Sequence, residues 1–379
     1  MRRVLAAAVG MMVGMGLWAG HCAGAEGDDG AAWRQIAPFF NPPANMAGQM
    51  GSYRPLLRFD DGRIVKTAAD WQRRREEILR EWHGIMGAWP RLIEKPRVEY
   101  VEASRRDGFV QHRVRVETAP GQNTAGYLLV PEGKGPFAAV LVVYYDAETS
   151  VGLAKDGELR DFAHQLARRG FVTLSIGSPG GDARRPEIGE ARCQPLSFLG
   201  YVAANCHTAL SQVSSVDGGR IGVVGHSYGG KWAMFASCLY EKFACGVWSD
   251  PGIVFDEGRG NVNYWDPWYL GDGPGEKRKA GVPGAANPRT GAYKELVEKG
   301  HDLHELHALM APRPFLVSGG SEDTAERWAA LNHAIEVNRL LGYGGRVAMT
   351  NRAGHSPTAE SNEQIYAFFR HFLQAGMTR

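Results

Sequence analysis

The most informative stretch of this chain is Ile221-Gly222-Val223-Val224-Gly225-His226-Ser227-Tyr228-Gly229. Its first four residues form an apolar run typical of a buried strand, and a helical pattern follows from Lys231 to Tyr240. A G-x-S-x-G pattern between a strand and a helix places the serine hydroxyl in the open, on a sharp and strained turn. The two glycines keep that crowded turn free of Cβ clashes. The stretch therefore predicts a nucleophile elbow at Ser227; the alternative is a tight turn with an exposed serine.

Strand and helix patterns alternate on both sides of this stretch. Three leading strands are predicted at 98–101, 110–116 and 126–130, and further strands at 138–145, 171–176, 221–224, 245–249, 314–318 and 346–350. Helices are predicted at 161–169, 195–214, 324–341 and 360–373. Such alternation indicates a mostly parallel central sheet flanked by helices on both faces, with the leading strands antiparallel. The fold class predicted is therefore α/β, of the α/β-hydrolase type.

A serine hydroxyl needs a base and an orienting acid before it can attack a carbonyl group. In α/β-hydrolases the chain order is serine, acid, histidine. His355 follows the last strand and is the candidate base. Two acids follow earlier strands, Asp250 after 245–249 and Asp323 after 314–318, and Glu322 is a weaker third candidate. The sequence leaves the choice between Asp250 and Asp323 open, and either could instead cap a turn or helix.

An oxyanion hole is predicted from two backbone N–H groups. One is that of Tyr228, directly after the nucleophile, and the second is expected in the loop after 138–145, near Asp146. That loop reads Tyr144-Tyr145-Asp146-Ala147 and lacks the HGGG sequence of lipases.

The N-terminus has the features of a secretory signal peptide. Arg2 and Arg3 precede a short apolar run, and Ala23-Gly24-Ala25 is a small-residue cleavage site. We expect residues 1–25 to be a signal peptide, 26–95 an N-terminal extension with an amphipathic helix, and 96–379 the hydrolase domain with an insertion at about 251–300. The mature protein is then expected in the periplasm or outside the cell.

Composition excludes several classes of partner. The 379 residues contain 43 Lys plus Arg and 41 Asp plus Glu, so no basic surface for nucleic acid is indicated, nor membrane binding after signal removal. The spacing of His301, His304 and His307 does not match a helical zinc site, so neither a metal nor another cofactor is expected. Four cysteines follow the signal, and export would permit disulfides between them: Cys193, Cys206, Cys238 and Cys245.

Three stretches resemble the glucuronoyl-esterase type of carbohydrate esterase and, more loosely, acetyl-xylan-esterase-like hydrolases. They are Gly225-His226-Ser227-Tyr228-Gly229-Gly230-Lys231, Ser249-Asp250-Pro251-Gly252, and the block from His304 to Pro314 that ends in Ala-Pro-Arg-Pro. The resemblance implies an α/β-hydrolase that cleaves a carbohydrate-linked ester, with Lys231 and Trp328 in contact with the sugar. Tyr228 stands where that family has an arginine that helps stabilise the oxyanion.

An aromatic group in the 251–300 segment has two interpretations. Its members could stack on a sugar ring, with Trp265 as the candidate contact, or they could cover the core beneath the insertion. The group consists of Tyr264, Trp265, Trp268 and Tyr269.

The sequence thus predicts an exported serine esterase that acts through an acyl-enzyme on a small-molecule or polysaccharide ester. One alternative is a dienelactone-hydrolase-like or peptidase-type serine hydrolase. Another is a non-catalytic carbohydrate-binding relative, which the presence of both Ser227 and His355 disfavours.

Overall fold

A computed structural model describes residues 28–155, 157, 159–274 and 278–374. The expected signal peptide, residues 1–25, lies outside the described residues. Within these ranges, no helix combines the length and the apolar character needed to cross a membrane.

One sheet of nine strands organises the described chain, in the order β1-β2-β3-β5-β4-β6-β7-β8-β9. The first three strands and the β3–β5 pair are antiparallel, and the pairs from β5 through β9 are parallel. The strands are β1 (Val98–Arg106), β2 (Phe109–Ala119), β3 (Gln122–Pro131), β4 (Phe137–Val143), β5 (Val172–Ile176), β6 (Val216–His226), β7 (Cys245–Ser249), β8 (Phe315–Gly319) and β9 (Val347–Asn351). The predicted α/β class and its mostly parallel sheet are confirmed.

Ten α-helices lie among the described residues, and most connect successive strands. They are α1 (Asp28–Ile36), α2 (Ala68–Met86), α3 (Ala147–Ser150), α4 (Phe162–Ala167), α5 (Pro195–Ser211), α6 (Tyr228–Leu239), α7 (Gly291–Glu298), α8 (His304–Ala308), α9 (Trp328–Leu340) and α10 (Ala359–Phe369). Short 3-10 turns occupy Ala37–Phe40, Pro179–Gly181 and Ala325–Arg327, and a π-helical turn occupies Arg370–Gln374.

Two hydrophobic cores lie on opposite faces of the sheet. Successive side chains of β4 alternate between them: Leu141 and Val143 belong to the core that contains α5, α6 and α9, whereas Val140 and Val142 belong to the core that contains α4 and α10. Side chains along a strand point to opposite faces, so a central strand covered on both sides is apolar throughout. This explains why the strands next to the elbow appear as continuous apolar runs in the sequence.

The helix predicted in the N-terminal extension is α2, and it packs onto the main core. A reciprocal capping box between Thr67 and Asp70 begins it, and Gly87, with φ of +86°, ends it. Trp71, Ile78 and Trp82 form its buried face. The helix therefore supports one side of the domain and does not extend into solvent.

Four helices, α1, α3, α7 and α8, were not predicted from the sequence. Of these, α3 and α8 have four and five residues, which is too short for a helical period to stand out. The predicted helix 324–341 begins with the 3-10 turn Ala325–Arg327 before α9. The four cysteines that follow the expected signal are all buried and unpaired.

Candidate active site

Ser227 lies in a strained turn between β6 and α6. Its φ of +57° and ψ of −115° are unusual for a residue with a side chain. A Cβ built on Gly225 would lie 2.1 Å from the carbonyl oxygen of Gly229, and one on Gly229 would lie 2.1 Å from that of Val143. Only glycine fits at either position, so the G-x-S-x-G pattern reflects backbone crowding around the serine.

Ser227, His355 and Asp250 form a continuous hydrogen-bonded chain. The Nε2 atom of His355 lies 2.9 Å from Oγ of Ser227, and its Nδ1 atom lies 2.7 Å from Oδ2 of Asp250. The Asp250 carboxylate is fully buried, whereas the side chain of His355 is 30% exposed. The imidazole can therefore accept the serine proton on one nitrogen while the other donates to a carboxylate sheltered from water.

Of the two competing acids, the structure places Asp250 at His355 and Asp323 elsewhere. Asp250 has φ of +50°, and its Oδ1 atom accepts hydrogen bonds from the backbone N–H groups of Gly320 (2.6 Å) and Asp323 (2.9 Å). The Asp323 carboxylate instead accepts from the N–H groups of Gly252 (2.9 Å) and Ile253 (2.6 Å). Asp323 therefore orders the loop after β7.

Complete burial and the nearby charge of Asp250 raise the pKa of Asp323 to about 7. The two N–H donors oppose this rise because they favour the ionised carboxylate.

Glu322 lies close to the same group without a hydrogen bond to the imidazole. One side-chain ligand atom each from Asp250, Glu322 and His355 lies within 4.8 Å of the others, a set that could hold a cation in principle. Oε1 of Glu322 accepts from the hydroxyl of Ser321 at 2.9 Å. Both ring nitrogens of His355 already contact Asp250 and Ser227, so a cation bound there would disrupt the chain of hydrogen bonds.

Arg352, which belongs to none of the sequence motifs, holds the loop that carries His355. Its guanidinium donates to the carbonyl oxygens of Ser318 (2.7 Å), His355 (2.5 Å) and Ser356 (2.8 Å). It thereby joins the end of β8 to the loop after β9 through a planar group that suits several acceptors at once. The only feature of the sequence that could have indicated this role is that Arg352 lies three residues before His355.

His226, immediately before Ser227, also packs against the imidazole of His355. Its ring lies 4.7 Å from that of His355, and its Nδ1 atom is 3.1 Å from the hydroxyl oxygen of Ser249. Burial holds the pKa of His226 well below its ordinary value, so this ring is neutral. It adds bulk behind His355 without adding a second positive charge.

The predicted oxyanion region lies where β4 and β6 end side by side. Within the described chain, the backbone N–H groups of Tyr228, Tyr145 and Asp146 have no hydrogen-bond partner, whereas that of Tyr144 donates to Ile176. The Asp146 carboxylate caps α3 through the N–H (2.7 Å) and hydroxyl (3.0 Å) of Thr149. Any contribution of Asp146 to an oxyanion hole would thus come from its backbone.

Lys231 is buried and has no surface for a sugar contact of the kind implied by the resemblance. Only 2% of the residue is exposed. Its ammonium group donates to the carbonyl oxygens of Pro251 (2.6 Å) and Asn261 (3.4 Å) and lies 5.0 Å from the ring centre of Tyr264. Burial lowers its pKa to about 8. Lys231 thereby attaches the segment after β7 to α6.

The two tryptophans expected to contact substrate are likewise enclosed. Trp265 is completely buried and packs edge-on against Tyr293, and Trp328 is 2% exposed at the start of α9. Of the aromatic group, Tyr264 and Tyr269 are also buried, and Trp268 is half-buried. Contrary to the expectation for Trp265 and Trp328, neither ring has a surface open to a sugar.

The three histidines of the 301–307 segment contact different partners. Nδ1 of His301 lies 2.7 Å from Glu305, Nε2 of His304 lies 2.9 Å from the carbonyl oxygen of Arg54, and His307 is enclosed in the core. Their side chains do not converge on a common point. This segment instead anchors the N-terminal extension.

Comparison with known proteins supports the assignment of the fold. Residues 96–243 match a family model described as "Esterase FrsA-like", which spans β1 to α6 and includes Ser227. No curated protein sequence matches the chain. The matched family is one of esterases, in agreement with the predicted carboxylic ester hydrolase.

Solved structures of glucuronoyl esterases resemble the chain over most of its length. One from Solibacter usitatus is 19% identical, covering 85% of this chain and 97% of its own, with a TM-score of 0.66. One from Teredinibacter turnerae is 20% identical over 87% and 91%, with a TM-score of 0.60. The catalytic domain from Hypocrea jecorina is 16% identical over 89% and 93%, with a TM-score of 0.57. The fold is that of the α/β-hydrolase esterases. These are the enzymes that the sequence motifs resemble.

Proposed function

We propose that the protein is an exported serine esterase that cleaves a carbohydrate-linked carboxylic ester through an acyl-enzyme. The observation that carries the proposal is the chain of hydrogen bonds from Ser227 through His355 to Asp250, with distances of 2.9 and 2.7 Å. A hydroxyl, an imidazole and a buried carboxylate in this order are the elements of acyl transfer by serine hydrolases.

The reaction proceeds in two halves. Oγ of Ser227 attacks the ester carbonyl carbon while Nε2 of His355 takes the hydroxyl proton. The tetrahedral intermediate collapses as the same proton passes to the leaving alcohol, and the acyl group remains on Ser227. Water then attacks the acyl-enzyme, His355 takes a proton from it, and the carboxylic acid leaves as Ser227 regains its proton. Asp250 orients the imidazole and stabilises its charged form throughout.

The backbone N–H of Tyr228 is proposed to stabilise the negative charge on the carbonyl oxygen. The second donor is proposed from the loop after β4, where the N–H groups of Tyr145 and Asp146 have no partner within the described residues. Fixed N–H dipoles at this place lower the barrier because they need no reorganisation as the charge develops.

The substrate class is proposed from the resemblance. The motifs around Ser227, Asp250 and His304, together with the fold shared with the glucuronoyl esterases, favour an ester of a sugar or uronic acid. The small-residue cleavage site at 23–25 supports export to a compartment where such substrates occur.

A substrate panel tests the proposal. The purified mature protein and its Ser227→Ala variant would be assayed by pH-stat with methyl glucuronate, acetylated xylobiose, a dienelactone, a peptide and ethyl acetate. We expect hydrolysis of at least one sugar ester by the wild type and none above background by the variant. Hydrolysis of only the lactone or the peptide would favour the alternative hydrolases, and full activity of the variant would exclude Ser227 as the nucleophile.

A further inference from the structure

An exposed tyrosine borders the proposed nucleophile at the carboxyl end of β4. Tyr145 follows β4, whose neighbour β6 ends at the elbow. The ring of Tyr145 stacks on that of Tyr228, with centres 4.8 Å apart and an angle of 29° between the planes. Because Tyr228 directly follows Ser227, the ring of Tyr145 packs against the residue next to the proposed nucleophile.

This ring is more accessible than the other aromatic rings of the region. Tyr145 is 41% exposed, Tyr144 and Trp268 are half-buried, and the remaining candidates are nearly or completely buried. These are Tyr228, Trp232, Tyr264, Trp265, Tyr269 and Trp328. A sugar that stacks near the nucleophile therefore has the Tyr145 ring available, while the rings suggested by the sequence are enclosed.

Packing on its other sides holds the ring of Tyr145 in place. Tyr144 meets it edge-on, with ring centres 4.9 Å apart and an angle of 85°, and Tyr228 supports one of its faces. The hydroxyl of Tyr228 in turn donates to Oγ of Ser178 at 3.0 Å. A ring supported on one face and one edge loses little freedom when a ligand covers its remaining face.

We infer that Tyr145 is the aromatic surface on which the sugar ring of the substrate stacks while its ester lies at Ser227. The inference rests on the proposed function and deepens it, since it assigns the sugar contact to a residue outside the glucuronoyl-esterase-like motifs. The apolar face of a pyranose matches a flat ring, and the phenol hydroxyl remains available to sugar hydroxyls. Tyr145 is thus proposed as a residue that determines specificity and acts in binding.

Four variants measured with two kinds of ester test this inference. Tyr145→Ala removes the ring, Tyr145→Leu keeps apolar bulk without a flat surface, and Tyr145→Phe keeps the ring without the hydroxyl. Tyr100→Ala is the matched control, because Tyr100 is 53% exposed on β1 at the edge of the sheet. Each would be assayed with the best sugar ester of the wild type and with ethyl acetate, which has neither a sugar nor an aromatic ring.

We expect Tyr145→Ala and Tyr145→Leu to raise KM for the sugar ester roughly three- to tenfold, and to lower kcat/KM for the sugar ester by about the same factor relative to kcat/KM for ethyl acetate. Tyr145→Phe should keep the wild-type ratio of the two kcat/KM values, and Tyr100→Ala should stay close to the wild type on both esters. An equal loss on both esters, or no loss on the sugar ester, would overturn the inference and leave the proposed function intact. A wild type that hydrolyses ethyl acetate but no sugar ester would contradict the proposed substrate class and, with it, this assignment of Tyr145.

Discussion

Asp250 and Asp323 each hold the loop that carries the other. The Asp250 carboxylate accepts from the backbone N–H of Asp323, and the Asp323 carboxylate accepts from the N–H groups of Gly252 and Ile253, just beyond Asp250. Both carboxylates are fully buried. The loops after β7 and β8 are therefore fixed to one another, and only Asp250 has an oxygen left to contact His355.

Replacing the proposed triad acid should abolish most activity while the fold is kept. In Asp250→Asn the amide oxygen can still accept from the N–H groups of Gly320 and Asp323. The amide nitrogen, however, would donate to Nδ1 of His355, so the ring proton would lie on Nε2. A protonated Nε2 cannot accept the proton of Ser227. We expect kcat to fall by about 10³- to 10⁴-fold with little change in thermal unfolding. Full activity in this variant, with loss in Glu322→Gln, would make Glu322 the acid.

Asp323 should make stability decrease as the pH rises toward neutrality. Its pKa is raised from 3.8 to about 7 in the folded state. Between these values the unfolded chain releases the proton and the folded chain keeps it, so rising pH favours unfolding. The contribution of Asp323 to the free energy of unfolding is fully present below about pH 4 and is lost as the pH passes about 7.

The Asp323→Asn variant isolates this effect because it cannot titrate at that position. The free energy of unfolding of both proteins would be measured in urea at pH 5, 6, 7 and 8. The wild-type value minus the variant value should decrease up to about pH 7 and then stay constant. Other titrating groups are common to both proteins and largely cancel. A difference that stays constant or increases with pH would contradict the raised pKa.

The elbow glycines should not tolerate even one added methyl group. In Gly225→Ala the new Cβ would lie 2.1 Å from the carbonyl oxygen of Gly229, which is backbone and cannot rotate away. We expect a loss of about 3 kcal/mol in the free energy of unfolding, at the upper end for overpacked sites, together with loss of activity.

The control for this prediction is Gly84→Ala, on an exposed position of α2 where a Cβ meets nothing within 4 Å. It should stabilise the protein by roughly 0.5–1 kcal/mol, because alanine loses less conformational freedom in a helix. Equal stability of the two variants would show that the turn is less crowded than these contacts indicate.

Arg352 should affect the rate of catalysis more than substrate binding. Arg352→Lys keeps the charge but cannot span the carbonyl groups of Ser318, His355 and Ser356 at once. The loop that carries His355 would loosen, and small displacements of a catalytic group lower rates strongly. We expect kcat to fall by about 10- to 100-fold with KM nearly unchanged. Arg80→Lys, exposed on α2, is the control, and similar kinetics in both variants would exclude a positioning role.

Local sequence patterns predicted much of this molecule. The strands around Ser227 are apolar throughout because both faces are covered, and the elbow glycines are required by backbone contacts within a few residues. His355 could be located from chain order alone. The choice between Asp250 and Asp323 could not, because both follow neighbouring strands and the outcome depends on a positive φ at Asp250 and on bonds between two distant loops.

The substrate contacts were harder to predict for a related reason. Lys231, Trp265 and Trp328 are buried by packing between segments distant in the sequence, which no local period encodes. Tyr145 lies in a short loop, where no period indicates which rings remain exposed. The sequence thus predicted the hydrogen-bonded arrangement of Ser227 and His355 better than the exposure of the residues expected to contact a sugar.

Covalent labelling would show whether Ser227 is the nucleophile. The wild type, Ser227→Ala and His355→Ala would be treated with a fluorophosphonate, and the intact mass and the modified peptide determined by mass spectrometry. We expect one adduct per wild-type chain on Ser227, none on Ser227→Ala, and much slower labelling of His355→Ala. An unlabelled wild type, or an adduct on another residue that persists in Ser227→Ala, would show that Ser227 is not the nucleophile.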